Sequence, residues 1–268
     1  MTKLKYTFKN DTLFKVLFVK HPNLLKKLVA ELLGINLESI GQFEITNPEM
    51  PPENLGDKFC RLDINMTVDG QRVDLEIQVE DEGDYPERVL YYWAREYSTA
   101  LPAGQGYSML PRTVHISIVN FPMFDCAEFH SEYASLEVTR HTPLTDRMNI
   151  HIFELPKLPP SVNKNNRLEL WLSLFRAETE EELNNIESLE VPEMEQAITA
   201  YRSITVTPEF REMERLRSKA RHDEAQALFN AKREIAKNMV ADGEAVEKVV
   251  KYTGLTHTEV QNLQNAGV

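Results

Sequence analysis

Asp63 and Glu76 are the residues best placed to do chemistry, because a hairpin sets them level with one another. Leu62, Ile64, Met66 and Val68 alternate with polar residues on one arm, and Val73, Leu75, Ile77 and Val79 on the other. Such period-2 alternation reads as half-buried strand, and Asp69-Gly70 between the arms is a strong signal for a two-residue type I′ turn. With that loop Val68 pairs with Gln71, Ile64 with Leu75 and Leu62 with Ile77, so apolar residues match apolar ones. Asp63 then lies directly opposite Glu76. Opposed side chains in an antiparallel pair have Cβ atoms about 4.5–5.5 Å apart, and like charges there repel. A divalent cation bridging the two carboxylates would resolve the repulsion, since Mg²⁺ takes oxygen ligands and keeps waters for substrate phosphates. Two solvated acids on an open sheet face are the alternative.

The elements that must hold this pair are legible around it. Asn10 or Asp11 can cap a helix carrying Leu13, Phe14, Leu17 and Phe18. Pro22 restarts a second helix, which Gly34 stops. A strand at Gln42–Thr46 precedes the hairpin, with a loop over Asn47–Gly56 between them. Pro86 opens a helix running to about Leu101, and Thr113–Phe121 reads as a buried strand. Strand–helix–strand of this length predicts a crossover and a mixed sheet. Two further strands are expected at Ser135–Thr139 and Met148–Leu155. Beyond Pro159-Pro160 the chain turns helical, over Arg167–Arg176, Pro192–Ile204, the long and charged Glu209–Val240, and two short helices around Gly254. The short pair reads as a packing element in preference to a DNA reader. The long helix could support self-association into a homo-oligomer, although it lacks a sustained heptad.

Composition narrows the function classes. No run of 18 apolar residues occurs, and the first residues lack the core of a signal peptide, so a soluble cytoplasmic protein without membrane association is expected. Cys60 and Cys126 have neither metal-ligand spacing nor a disulfide framework, which fits a reducing compartment. The net charge of −12 speaks against a surface that coats nucleic acid broadly. A local phosphate site remains open, because such a site works through its metal and a few cations. No Ser/His/Asp arrangement and no phosphate-binding glycine loop is legible. His115 reads as structural; Asp74 and Glu80, on the face of Glu76, could hold a second, weaker ion, with solvated charge the preferred reading. Tyr91, Tyr92 and Trp93 are expected to pack on the sheet. Arg88, Tyr92 and Arg95 recur at helical spacing and could approach DNA phosphate or support the site.

Several ordered motifs carry a resemblance. Asn10-Asp11-Thr-Leu-Phe14-Lys15-Val-Leu-Phe18, Lys58-Phe-Cys-Arg-Leu62-Asp63, Asp74-Leu-Glu76-Ile-Gln78, Arg88-Val-Leu-Tyr91-Tyr92-Trp-Ala-Arg95, Gly106-Tyr107 and Glu154-Leu-Pro-Lys157-Leu resemble the Rpn family in that order. These are recombination-promoting nucleases of the PD-(D/E)XK superfamily, also described as transposases. The likeness spans roughly Thr7 to Leu158, and the tail around Thr253-Gly254-Leu255 resembles the family's C-terminus.

The resemblance implies an α/β fold with a restriction-endonuclease-like mixed sheet flanked by helices. Residues 1–160 would form the nuclease core and 161–268 an all-helical C-terminal region. It also implies metal-dependent endonucleolytic cleavage of DNA, tied to recombination or mobile elements. Asp63 and Glu76 would hold Mg²⁺, or Mn²⁺ or Ca²⁺ in its place, and the main-chain carbonyl of Ile77 would complete the shell. Gln78 stands where the superfamily usually has Lys; it can hydrogen-bond a water but carries no charge. Arg61, across from Gln78, or Lys58 could supply the cation, with strand parity favouring Arg61. Asp11 could be a third acid, or the cap of its helix. A nuclease fold that binds DNA or protein without cutting is the alternative reading.

Overall fold

A computed structural model of the protein describes residues 2–47 and 64–265. Asn10, in extended conformation, accepts a hydrogen bond from Leu13 N at 2.8 Å and so caps α1 (Asp11–Lys20). The cap is thus Asn10, and Asp11 is the first helical residue, its Oδ1 accepting from Thr12 N at 2.9 Å. Pro22 opens α2 (Pro22–Leu33), and Gly34 ends it in the left-handed region, φ 63°.

The hairpin forms as its pattern dictates. Strand β1 (Phe43–Ile45) pairs antiparallel with β2 (Ile64–Val68), and β2 with β3 (Gln71–Gln78), in the register Ile64↔Leu75, Met66↔Val73, Val68↔Gln71. Asp69 and Gly70 both have positive φ, 48° and 78°, as a type I′ turn requires. Asp69 does further work: its Oδ1 accepts from Gly41 N and Gln42 N at 2.9 and 2.7 Å and fixes the entry to β1.

After β3 the chain crosses over through α3 (Tyr85–Thr99) to β4 (Thr113–Val119), parallel to β3. An edge strand β5 (His130–Ala134) runs antiparallel to β6 (Met148–Glu154), which is parallel to β4. The sheet order is β1-β2-β3-β4-β6-β5. The expected strand at Ser135–Thr139 is displaced to His130–Ala134; residues 130–134 are the ones that meet β6, and Leu136 makes only an isolated bridge to Pro143. Side-chain parity puts Asp74, Glu76 and Gln78 on one face with His115, Ser117 and Val119. Tyr85 and Val89 of α3 cover that face, packing with Val119, Phe121, Ile150 and Ile152. On the other face Val73, Leu75, Val114 and Ile116 are apolar and buried. At the end of β6, fully buried Glu154 accepts from Met123 N, Phe124 N and Lys157 Nζ at 2.6, 3.3 and 2.8 Å, locking the loop that follows β4.

The next helices are α4 (Arg167–Arg176), α5 (Glu180–Glu187) and α6 (Pro192–Thr205). The N-terminal segment joins them: Lys3 bridges Thr179, and Tyr201 Oη donates to Tyr6 O at 2.7 Å. Phe8, Phe14 and Phe18 meet Phe175, while Phe8 stacks on Tyr201 and Phe18 meets Trp171. The described residues divide into two compact units, one reaching Arg211 and one beginning at Glu212. Helix α7 (Pro208–Ala241) is followed by α8 (Val246–Thr253) and α9 (His257–Asn265). In the second unit Ala236, Val249, Leu255, Val260 and Leu263 form a core of their own. A mixed sheet flanked by helices, followed by an all-helical C-terminal region, is the architecture expected of a restriction-endonuclease-like protein.

Candidate active site

Glu76 lies on the part of β3 that α3 covers, and its side chain is surrounded. Arg88 Nη2 meets its Oε1 at 3.3 Å, and Tyr85 Oη donates to its Oε2 at 3.3 Å. Tyr85 and Arg88 are three residues apart at the start of α3, hence on one helix face. Arg88 also bonds Glu82 through Nη1 at 2.7 Å, and its guanidinium lies over the Tyr85 ring, 4.7 Å from the centroid. Burial pushes the Tyr85 hydroxyl well above its ordinary pKa, and the negative charge of Glu76 adds to the shift. The phenol therefore stays protonated and acts as donor to the carboxylate.

Asp74, expected as solvated charge, is buried with 6% of its surface exposed. Periodicity gave its face correctly, but α3 closes over that face. His115 Nδ1 sits 2.8 Å from Asp74 Oδ2, and His115 Nε2 is 2.9 Å from Ser117 Oγ and 3.8 Å from Glu76 Oε2. Asp74, His115 and Ser117 thus have the connectivity of a hydrolytic triad, assembled from two strands and invisible as a sequence motif. Ser117 and His115 are completely buried, however, so Oγ has no approach for a substrate. The arrangement is a structural polar core beneath Glu76.

The oxygens here suit a hard cation. Asp74 Oδ1 and Asn65 Oδ1, on directly opposed residues of β3 and β2, are buried and lack a hydrogen-bond partner among the described residues. Glu76 lies two residues along β3 on the same face, and oxygen donors of this kind are those that Mg²⁺ or Ca²⁺ takes. Among the described residues no group of three or more His, Cys, Asp or Glu side chains is arranged to hold a metal ion.

Of the other residues singled out in the sequence, Asp63, Arg61 and Lys58 lie outside the described residues. Ile77 is half-buried between Glu76 and Gln78. Gln78 Nε2 donates to Glu80 O at 2.8 Å, so its amide is turned along its own chain. Asp11 is half-buried at the start of α1. Arg88 joins the site, whereas Arg95 is exposed. Tyr91 corrects the expectation of packing, being 62% exposed, while Trp93 Nε1 donates to Thr113 O at 2.9 Å and packs on the sheet. Lys15, on the apolar face of α1, is a further buried cation, 2% exposed, and donates to Asn47 O. Asn47 Oδ1 in turn accepts from Asn65 N at 2.8 Å, so α1 is tied to the first described residues of β2.

On the opposite face of the sheet, His130 Nε2 and His151 Nδ1 are 3.1 Å apart and the rings stack. Burial pulls His151 down to about 4, despite the opposing pull of Glu132, and lowers His130 as well. An unfolded histidine titrates near 6.5, so between pH 6.5 and 4 the unfolded chain binds more protons and stability falls with pH. Stability is full above 6.5, and for His151 the loss approaches about 3 kcal/mol at pH 4. Thermal melts from pH 7 to 4 should show this fall, and His151→Gln should flatten it; an identical slope in the variant would refute the assignment.

Among the described residues no helix is long and apolar enough to cross a membrane. Searches of curated proteins and of solved structures find no match. The family model of the PD-(D/E)XK nuclease family transposases matches residues 8–231, which takes in the sheet, its crossover helix and the helices as far as most of α7. With that span, and with an acid-bearing β2–β3 hairpin at the centre of a mixed sheet, the chain belongs to the PD-(D/E)XK nuclease family transposases, nucleases linked to mobile elements.

Proposed function

We propose that the protein is a metal-dependent DNA endonuclease. The observation that supports this is the register Ile64↔Leu75: Asp63 and Glu76 are the next residues of the two arms. In this reading Asp63 and Glu76 hold Mg²⁺, or Mn²⁺ in its place, with the carbonyl of Ile77 as a further ligand. The ion would polarise the phosphoryl oxygen, acidify a bound water and stabilise the leaving oxygen. Tyr85 and Arg88 orient the Glu76 carboxylate from both sides. Gln78 contributes hydrogen bonding to the attacking water once its amide leaves Glu80 O, and Asp11, Arg61 and Lys58 are supporting groups. Residues 1–160 carry the chemistry, 161–268 form the helical region, and the enzyme works in the cytoplasm on DNA.

One observation favours a second reading, a nuclease fold that binds DNA or protein without cutting: the uncharged Gln78 at the superfamily's Lys position donates its amide to the main-chain carbonyl of Glu80. Cleavage of supercoiled plasmid separates the two. Nicking or linearisation with Mg²⁺ or Mn²⁺, abolished by EDTA, is the expected result. Plasmid left intact in every metal would turn the assignment to the binding module.

A further inference from the structure

Among the described residues two groups able to carry positive charge stand within 4 Å of Glu76: Arg88 and His115. His115 is sealed in the core with its nitrogens directed at Asp74 and Ser117. Arg88 is different. Its side chain is 19% exposed, bonded tightly outward to Glu82 at 2.7 Å and more loosely inward to Glu76 at 3.3 Å. Its contact with Glu76 is a single N–H···O, where a structural Arg–carboxylate pair is commonly bidentate. Arg88 Nε is buried and has no hydrogen-bond partner among the described residues. The Tyr85 ring, itself buried, gives the guanidinium a fixed platform. Arg88 is therefore held at the site without being saturated by it.

We propose that Arg88 is a resident cation of this site, competing with a divalent ion for Glu76 and serving the phosphate when that ion is bound. This rests on the metal-dependent reading above. Without metal, Arg88 neutralises the buried Glu76. A divalent ion at Glu76 faces a like charge a few ångströms away, and the Arg88–Glu76 contact is the longer of the two ion pairs that Arg88 makes. Released from Glu76, the guanidinium remains anchored by Glu82 and Tyr85, with its freed N–H groups directed to a phosphodiester oxygen, a match of planar fork to oxyanion. Arg88 thereby takes the electrostatic part that a lysine plays in the superfamily and that Gln78 cannot.

Mn²⁺ titration calorimetry on the full chain, with plasmid cleavage at saturating Mn²⁺, tests the competition. Arg88→Met should bind Mn²⁺ roughly tenfold tighter, because a like charge has gone. It should nonetheless cut roughly 100-fold more slowly, having lost a charge-stabilising group. Arg88→Lys should recover part of the rate. Glu82→Gln, which unties Arg88 outward and leaves it for Glu76, should weaken Mn²⁺ binding by about threefold. A purely structural Arg88 would move affinity and rate downward together. Unchanged or weaker Mn²⁺ binding in Arg88→Met overturns the proposal, as does an unchanged rate at saturation. Should Arg88→Met fail to fold, Glu82→Gln decides: unchanged or tighter binding is then the overturning result. Wild type that binds no Mn²⁺ would sink the metal-dependent reading and this inference with it, whereas wild type that binds and cuts normally beside unresponsive Arg88 and Glu82 variants would sink this inference alone.

Discussion

Glu76→Gln is expected to keep its fold and to lose metal-dependent plasmid cleavage by about 10³-fold or more, equivalent to about 4 kcal/mol of transition-state stabilisation. Asp63→Asn should do the same. The two effects of the Glu76 change separate cleanly. The glutamine has the shape of glutamate and can still accept one hydrogen bond, from Arg88 Nη2 or from Tyr85 Oη, at the places where the carboxylate oxygens now accept both. Arg88 keeps a counter-ion in Glu82. The stability change should thus stay within about 1–2 kcal/mol, the size of a charged hydrogen bond lost with partial replacement. A neutral amide is by contrast a poor ligand for a hard cation, so metal and its acidified water go together. Initial cleavage rates with Mn²⁺, set beside thermal melts in EDTA, check both halves. A Glu76→Gln protein that cuts within tenfold of wild type would remove Glu76 from the chemistry.

How much of this could be read beforehand depends on the range over which each signal acts. The hairpin was legible because two local patterns agree, alternation in both arms and Asp69-Gly70 between them, and the observed Val68↔Gln71 and Ile64↔Leu75 pairs are those they require. The crossover followed from the length of the intervening helix. What alternation cannot say is what covers a face. Asp74 and Glu76 alternate with Val73 and Leu75 as a solvated strand would, yet Tyr85 and Val89 roof them, and two acids become buried groups with named partners. The Asp74–His115–Ser117 contact depends on the parallel pairing of β3 and β4, which no spacing within the chain reports. Strand β5 lies upstream of Ser135–Thr139 because pairing with β6 decides its place, and its exposed polar residues carry little alternation. Helix α5 carries its start signal locally: Thr179 and Glu182 form a capping box, Thr at the cap and Glu three residues on. Asp63, Arg61 and Lys58, by contrast, fall outside the described residues and rest on the sequence and the proposed chemistry.

The polar core beneath Glu76 yields the largest expected effect on stability. His115→Leu should lower the melting temperature by roughly 10 °C, corresponding to about 3–5 kcal/mol in a unit of this size. The leucine fills the space, but it leaves Asp74, 6% exposed and with Oδ1 already lacking a partner among the described residues, without the imidazole 2.8 Å from Oδ2. An uncompensated buried charge costs far more than the pair contributes. Ser117→Ala removes a hydroxyl against His115 Nε2 and should cost only about 1 kcal/mol. Asp74→Asn combined with His115→Leu should recover most of the loss, since the charge goes with its partner. The order of these three melts distinguishes a structural pair from a hydrolytic triad. In a triad Ser117 would be the indispensable member, and Ser117→Ala would abolish cleavage; here it should cut at close to the wild-type rate. A His115→Leu protein as stable as wild type would mean that Asp74 finds another partner or a solvent path, and that the buried Asp74–His115 contact does not set the stability of the sheet around Glu76.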